Sequence, residues 1–190
     1  MIYKRTSEIS TEPVSIELAR MQIGLDSTDT SMDTMLEMLI AAAREYVEKY
    51  CNRSLITATW TAYLDSFETW GIEIFKLPIS EITSVKYYDS DDTLTTLSAD
   101  TNYVTDIISE PARLIPASGE SWPSTYDRPN AVEIAFKAGY GAEQADVPKT
   151  LVSVMLMIIT HLEANRGDEG FRTLPSTIDL LLNDYRLERI

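Results

Sequence analysis

The spacing of apolar residues changes period twice along the chain, dividing it into a helical start, a strand-rich middle and a helical end. In the first part, Ser15 is placed to cap a short helix over residues 16–23, with Glu17 in the first turn and Gly24 at the stop position. Ser31 is placed to cap a longer helix in which Leu36, Leu39, Ile40, Ala43, Val47 and Tyr50 recur at three- and four-residue steps. That pattern puts Glu37, Arg44, Glu45, Glu48 and Lys49 on the solvent side.

From residue 55 to about 146 the signal becomes alternation. Trp60, Ala62 and Leu64 share one face of a predicted strand, and Thr59, Thr61 and Tyr63 share the other. β-Branched and aromatic runs at 72–77 and 82–88 predict further strands, with Asp89-Ser90-Asp91-Asp92 as a turn. Later strands are predicted at 103–106, 113–115 and 132–137, the last with Val132, Ile134 and Phe136 alternating against Glu133, Ala135 and Lys137. The final part opens at Pro148. There Leu151, Met155, Ile158, Ile159 and Leu162 form a stripe that Val152, Val154 and Leu156 widen until most of the helix is apolar. Residues 167–170 break it, and Ser176 with Asp179 resembles a capping box before a short last helix at Leu180-Leu181-Leu182.

These elements predict an α+β fold: an antiparallel helical core of about four helices with a strand-rich insertion between the second and third. The parts are residues 1–54, 55–147 and 148–190, read as one folding unit. Residues 1–10 and 185–190 look marginal in an isolated subunit and are expected to order on a partner.

Charge narrows the choice of function. Thirty acids against sixteen bases give a net charge of −14, which argues against a protein built to grip nucleic-acid phosphates or anionic lipid. Residues 1–54 carry −3, residues 55–147 carry −10 and residues 148–190 carry −1, so the sequence places the acidity in the strand region. One cysteine, Cys51, rules out an intrachain disulfide. No run approaches the roughly 20 apolar residues of a membrane span, and the start carries no readable secretory signal, so no membrane is expected.

Catalytic constellations are missing. His161 is the one histidine, it lies in the most apolar helix, and no nucleophile motif accompanies it, so its expected role is structural. Asp89, Asp91 and Asp92 start like a calcium loop but have Leu94 where glycine is required and no glutamate at the twelfth position. Asp26, Asp29 and Asp33 lie where a loop enters a helix, a place explained by capping. Gly139-x-Gly141 has neither the third glycine of a dinucleotide loop nor a Walker lysine. Trp60, Trp70 and Trp122 read as core or interface anchors. No catalytic, cofactor or metal residue is assigned, and no cofactor is expected.

Several strings, taken in order, carry a resemblance. They are Pro13-Val14-Ser15, the run from Ile40 to Glu48, Arg53-Ser54-Leu55-Ile56-Thr57 leading to Trp60, Leu77-Pro78, and Val85-Lys86-Tyr87-Tyr88-Asp89. Trp122-Pro123, Arg128-Pro129-Asn130-Ala131-Val132, Phe136-Lys137-Ala138-Gly139-Tyr140-Gly141 and Val147-Pro148 follow. Over roughly residues 12–186 the chain resembles the head-to-tail connector, or adaptor, proteins of long-tailed phages, prophages and gene transfer agents. His161-Leu162-Glu163 departs from the pattern, in which an aromatic residue commonly follows the histidine.

The resemblance implies a non-enzymatic virion protein at the head–tail interface, assembled in the bacterial cytoplasm. It implies a ring of identical subunits, expected to be a dodecamer, docked beneath the portal protein. A stopper or tail-completion protein would sit on the other face, and double-stranded DNA would pass through the lumen without specific binding. Candidate portal or neighbour contacts are Arg186, Leu187, Arg189 and Ile190, and candidate channel-lining acids are Asp89, Asp91 and Asp92. The alternative reading is a non-viral protein–protein interaction module without catalysis.

Overall fold

The computed structural model describes residues 1–26, 28–166 and 174–187. They comprise four α-helices, α1 Ile16–Gln22, α2 Asp33–Cys51, α3 Lys149–Ala164 and α4 Ser176–Asn183. Eight strands accompany them: β1 Ile2–Arg5, β2 Ala58–Leu64, β3 Ile72–Ile74, β4 Ile79–Tyr88, β5 Leu94–Leu97, β6 Tyr103–Asp106, β7 Ala112–Pro116 and β8 Val132–Ala138. All strands but the first lie between the second and third helices, so the fold is the predicted α+β arrangement. Two compact units result, residues 1–8 with 57–139 and residues 9–56 with 140–187.

In the helical unit, Ser15 caps α1 as its position predicts, accepting the Leu18 N–H at 3.2 Å. Ser31 does not cap α2; its own N–H donates to Asp29. Nor does α4 start with the capping box read from Ser176 and Asp179, for no side-chain cap hydrogen bond is present there. What fixes these helices is burial. Leu36, Ile40, Ala43 and Val47 of α2 meet Leu151, Val154, Met155, Ile158 and Ile159 of α3 and Ile178 and Leu182 of α4 in one core. Each large aliphatic side chain removed from water there contributes about 1.5–3 kcal/mol.

Two residues reverse the solvent-side assignment on α2. Arg44 is 4% exposed and Glu48 6%. Burial is tolerated because the guanidinium donates to Glu12 at 2.9 Å and to Glu48 at 3.2 Å, and the Glu48 carboxylate also accepts the Leu55 N–H at 2.8 Å. A buried charge with each of these partners is acceptable where an unpaired one is not.

The strand unit holds a five-stranded antiparallel sheet in the order β1-β2-β8-β4-β5 and a three-stranded one in the order β3-β7-β6. Register places Tyr3, Ala62, Ile134, Val85 and Leu97 in one cross-strand row, and all but Tyr3 are buried. The next row on the opposite face is Ile2, Tyr63, Glu133, Lys86 and Thr96, none of them buried. The alternation read on β2 and β8 therefore corresponds to the two faces of the sheet. Residues 2–5 differ from the expectation of a marginal start, since they pair with β2 as an edge strand and Tyr3 packs edge-on against Phe136.

The division also changes the distribution of charge. Among the described residues, 1–8 and 57–139 hold fourteen acids and seven bases, a net −7, while the helical unit holds thirteen and seven, a net −6. The concentration in the middle of the sequence arose because Lys4 and Arg5 belong with the strands and Glu143 and Asp146 with the helices.

Candidate assembly surfaces

The three hairpin acids have different local roles. Asp89 closes the β4–β5 turn: its carboxylate accepts the N–H groups of Asp91 at 3.0 Å and Thr93 at 3.1 Å and the Thr95 hydroxyl at 3.1 Å. These donors, the backbone N–H groups first, hold its carboxyl below the usual carboxylate range. Asp92 pairs with Arg128 at 2.9 Å, and that guanidinium lies 3.8 Å over the Tyr88 ring. Asp91 is exposed.

A group whose folded pKa is depressed stabilises above its unfolded pKa, and that contribution is lost as the pH falls through the folded value. The protection of the Asp91 and Thr93 amides, taken relative to intrinsic exchange at each pH, is therefore expected to fall once the pH drops below about 4. Asp89→Asn should remove this pH-dependent loss of protection. Protection factors measured by NMR from pH 6 to 2 check this.

Of the candidate tail contacts, Arg189 and Ile190 lie outside the described residues. Arg186 and Leu187 lie within the helical unit, held at the end of α2. The Leu187 N–H donates to Cys51 O at 3.3 Å, Asn52 Nδ2 donates to Leu187 O at 3.2 Å, and Arg53 Nε donates to Tyr185 O at 2.7 Å. Arg186 lies 5.3 Å from the centre of the Tyr50 ring. The backbone of Tyr185 and Leu187 is thus hydrogen-bonded within the subunit itself, contrary to the expectation that residues 185–187 order on a partner.

Beyond the predicted positions, the strand unit exposes apolar surface around its smaller sheet. Trp70 is 93% and Ile108 92% exposed, and Val104 and Ile115 face solvent as a cross-strand pair. A cleft of about 400 Å³ is lined by Phe67, Pro116, Glu120, Trp122 and Pro123 among others. Its floor is ordered by Trp122 stacked on Phe67, with centroids 4.7 Å apart and planes 3° from parallel. The two tryptophans of this region, both expected as anchors, differ in place: Trp70 is exposed and Trp122 is stacked.

The remaining motifs have local contacts. Gly139 adopts a φ of 144°, which glycine alone takes readily, and its N–H donates to Pro78 O at 2.9 Å. A side chain at Gly141 would collide with the Asp146 carboxylate, which accepts the Glu143 N–H. His161 is half-buried, and its carbonyl accepts from Asn165 Nδ2 at 2.7 Å. Among the described residues no group of three or more His, Cys, Asp or Glu is arranged to hold a metal ion, and no helix is long and apolar enough to cross a membrane.

The described residues thus comprise a helical unit and a two-sheet unit that exposes apolar side chains and uncovered end strands. The sequence matches the profile of the Phage gp6-like head-tail connector proteins over residues 14–183, and the chain belongs to that family. It is a structural protein of the head–tail junction. Three solved structures share the fold, each aligned over 100% of this chain and 97% of its own. One is a chain in the virion of a native gene transfer agent particle, with a TM-score of 0.82 and 19% identity. The second is in the neck of an empty gene transfer agent particle with C6 symmetry, at 0.81 and 20%. The third is in the neck of a native particle with C12 symmetry, at 0.74 and 19%. No curated protein matches the sequence.

Proposed function

We propose that the chain forms a ring of identical subunits beneath the portal, joins the DNA-filled head to a stopper or tail-completion protein, and surrounds the path of the DNA. The family match over residues 14–183 carries this reading. The C12 and C6 symmetry of the necks that contain chains of the same fold supports a ring, with twelve as the copy number to test. A cyclic ring is built from heterologous contacts, so each copy needs two unlike flanks rather than one self-complementary patch.

The DNA is cargo. With thirty acids against sixteen bases, the chain has little capacity for the counterion release that holds proteins to phosphates. The acidic excess belongs to the whole chain, and two of the three hairpin acids are engaged locally, Asp89 in the turn and Asp92 with Arg128. Arg186 and Leu187, which follow α4 and are hydrogen-bonded to the end of α2, are with Arg189 and Ile190 the proposed portal-facing contact.

Mixing the purified chain with its cognate portal, followed by native mass measurement and negative-stain imaging, tests the proposal. The expected product is a ring seated on the narrow end of the portal. A persistent monomer indifferent to the portal would overturn the reading.

A further inference from the structure

Four strands end the two sheets, and three of them carry charge: β1 has Lys4 and Arg5, β3 has Glu73 and β6 has Asp106. Charged side chains on end strands are the ordinary protection against a stray strand pairing with the edge. The fourth end strand, β5, reads Leu-Thr-Thr-Leu, with no charge and no proline, and pairs with β4 in regular register over its whole length.

Ladder geometry shows which of its backbone groups face outward. The Asp89 N–H donates to Thr93 O, so Asp89 and Thr93 are a hydrogen-bonded pair. Alternation then makes Tyr87–Thr95 and Val85–Leu97 the next hydrogen-bonded pairs. Tyr88 agrees with this phase, because its N–H and C=O bond Ala131 O and Tyr126 N on the side away from β5. The N–H and C=O groups of Leu94 and Thr96 therefore point out of the sheet, and both residues are exposed, Leu94 at 43%.

Both ends of this open edge are acidic. Asp91 and the Asp92–Arg128 pair lie at the hairpin end and Asp100, also exposed, lies just beyond Leu97. We propose that β5 is a docking edge that takes an extended segment of another virion protein by strand addition, with a segment uncharged at its centre and basic at both ends. The outward groups of Leu94 and Thr96 would supply the main-chain hydrogen bonds. The flanking carboxylates select the sign of the segment's ends, and like charge repels acidic ones. Because both ends of the edge are acidic, the preference does not depend on whether the segment runs parallel or antiparallel to β5.

The test does not require the ring. The intact chain is titrated with the synthetic peptide Arg-Thr-Val-Thr-Val-Thr-Arg and with its twin carrying glutamate at both ends, and amide exchange is followed by NMR. The basic peptide is expected to slow exchange at Leu94 and Thr96 at least tenfold and to bind at least tenfold more tightly than the acidic twin. Thr96→Pro, which removes an outward N–H and no ladder bond, should abolish that protection. Asp91→Lys combined with Asp100→Lys keeps the strand intact and should reverse the preference between the two peptides. Unchanged exchange at Leu94 and Thr96 with the basic peptide, or equal binding of both peptides, would overturn the proposal. Protection of these amides that rises with the concentration of the chain alone would assign the edge to a second copy and overturn the stated occupant.

Discussion

Arg44→Met is expected to destabilise the chain by about 3–5 kcal/mol, the cost of leaving a buried carboxylate without its partner. At about 2–4 °C per kcal/mol for a chain of this size, the melting midpoint should fall by about 6–20 °C. The reason is local. Glu48 is buried, and Arg44 is the cation that faces it, 3.2 Å away on the same side of α2. A second substitution separates charge from packing: Glu48→Gln in the Arg44→Met background keeps an acceptor for the Leu55 N–H while removing the buried charge. It should recover most of the loss. Thermal unfolding followed by circular dichroism measures both, and a fall of under 2 °C for the single variant would show that the pair is not buried in solution.

The second large effect concerns the centre of the five-stranded sheet. Phe136 is fully buried on β8, paired with Trp60 on one side and Ile82 on the other, with Tyr3 against its edge at 6.2 Å between centroids. Phe136→Ala removes a ring that neighbouring strands cannot collapse to replace, and is expected to cost about 3–5 kcal/mol. The adjacent residue in sequence gives the control. Lys137 points to the other face and pairs with Glu81 at 2.9 Å, both side chains about half exposed, so Lys137→Ala should change stability by less than about 0.5 kcal/mol. Urea unfolding of the two variants decides it. A similar cost for both would mean that the register of β8 is shifted by one residue.

How much of this was legible in the sequence depended on how local each cause is. The alternation on β2 and β8 identified the buried face because both strands have polar residues opposite apolar ones, and cross-strand register then follows. α3 was readable for the same reason, from a stripe of apolar residues wide enough to require burial. Arg44 and Glu48 were assigned to solvent because periodicity treats every charge as an outward residue. Their burial depends on Glu12, thirty-two positions away, and on the Leu55 N–H, neither of which leaves a mark on α2. β1 was missed because four residues carry too little alternation, and its strand character comes from pairing with β2, more than fifty positions later. The charge map failed in the same way: a contiguous cut through the sequence does not follow a chain whose first residues join the sheet.

The candidate surfaces divide similarly. Asp89 and Asp92 were singled out as a cluster, but a list of acids cannot show that one closes a turn and the other is paired to Arg128. The open edge of β5 has no side-chain signature beyond the lack of charge in four residues, and it becomes visible only when the order of strands is known.

The central claim is that this chain is the piece that joins head to tail, and deleting its gene in a producing cell tests that most directly. Electron microscopy of the resulting particles should show heads without tails and free tails alongside them, with joined particles restored when the chain is supplied in trans. Tailed particles with complete necks in the absence of the chain would contradict the account.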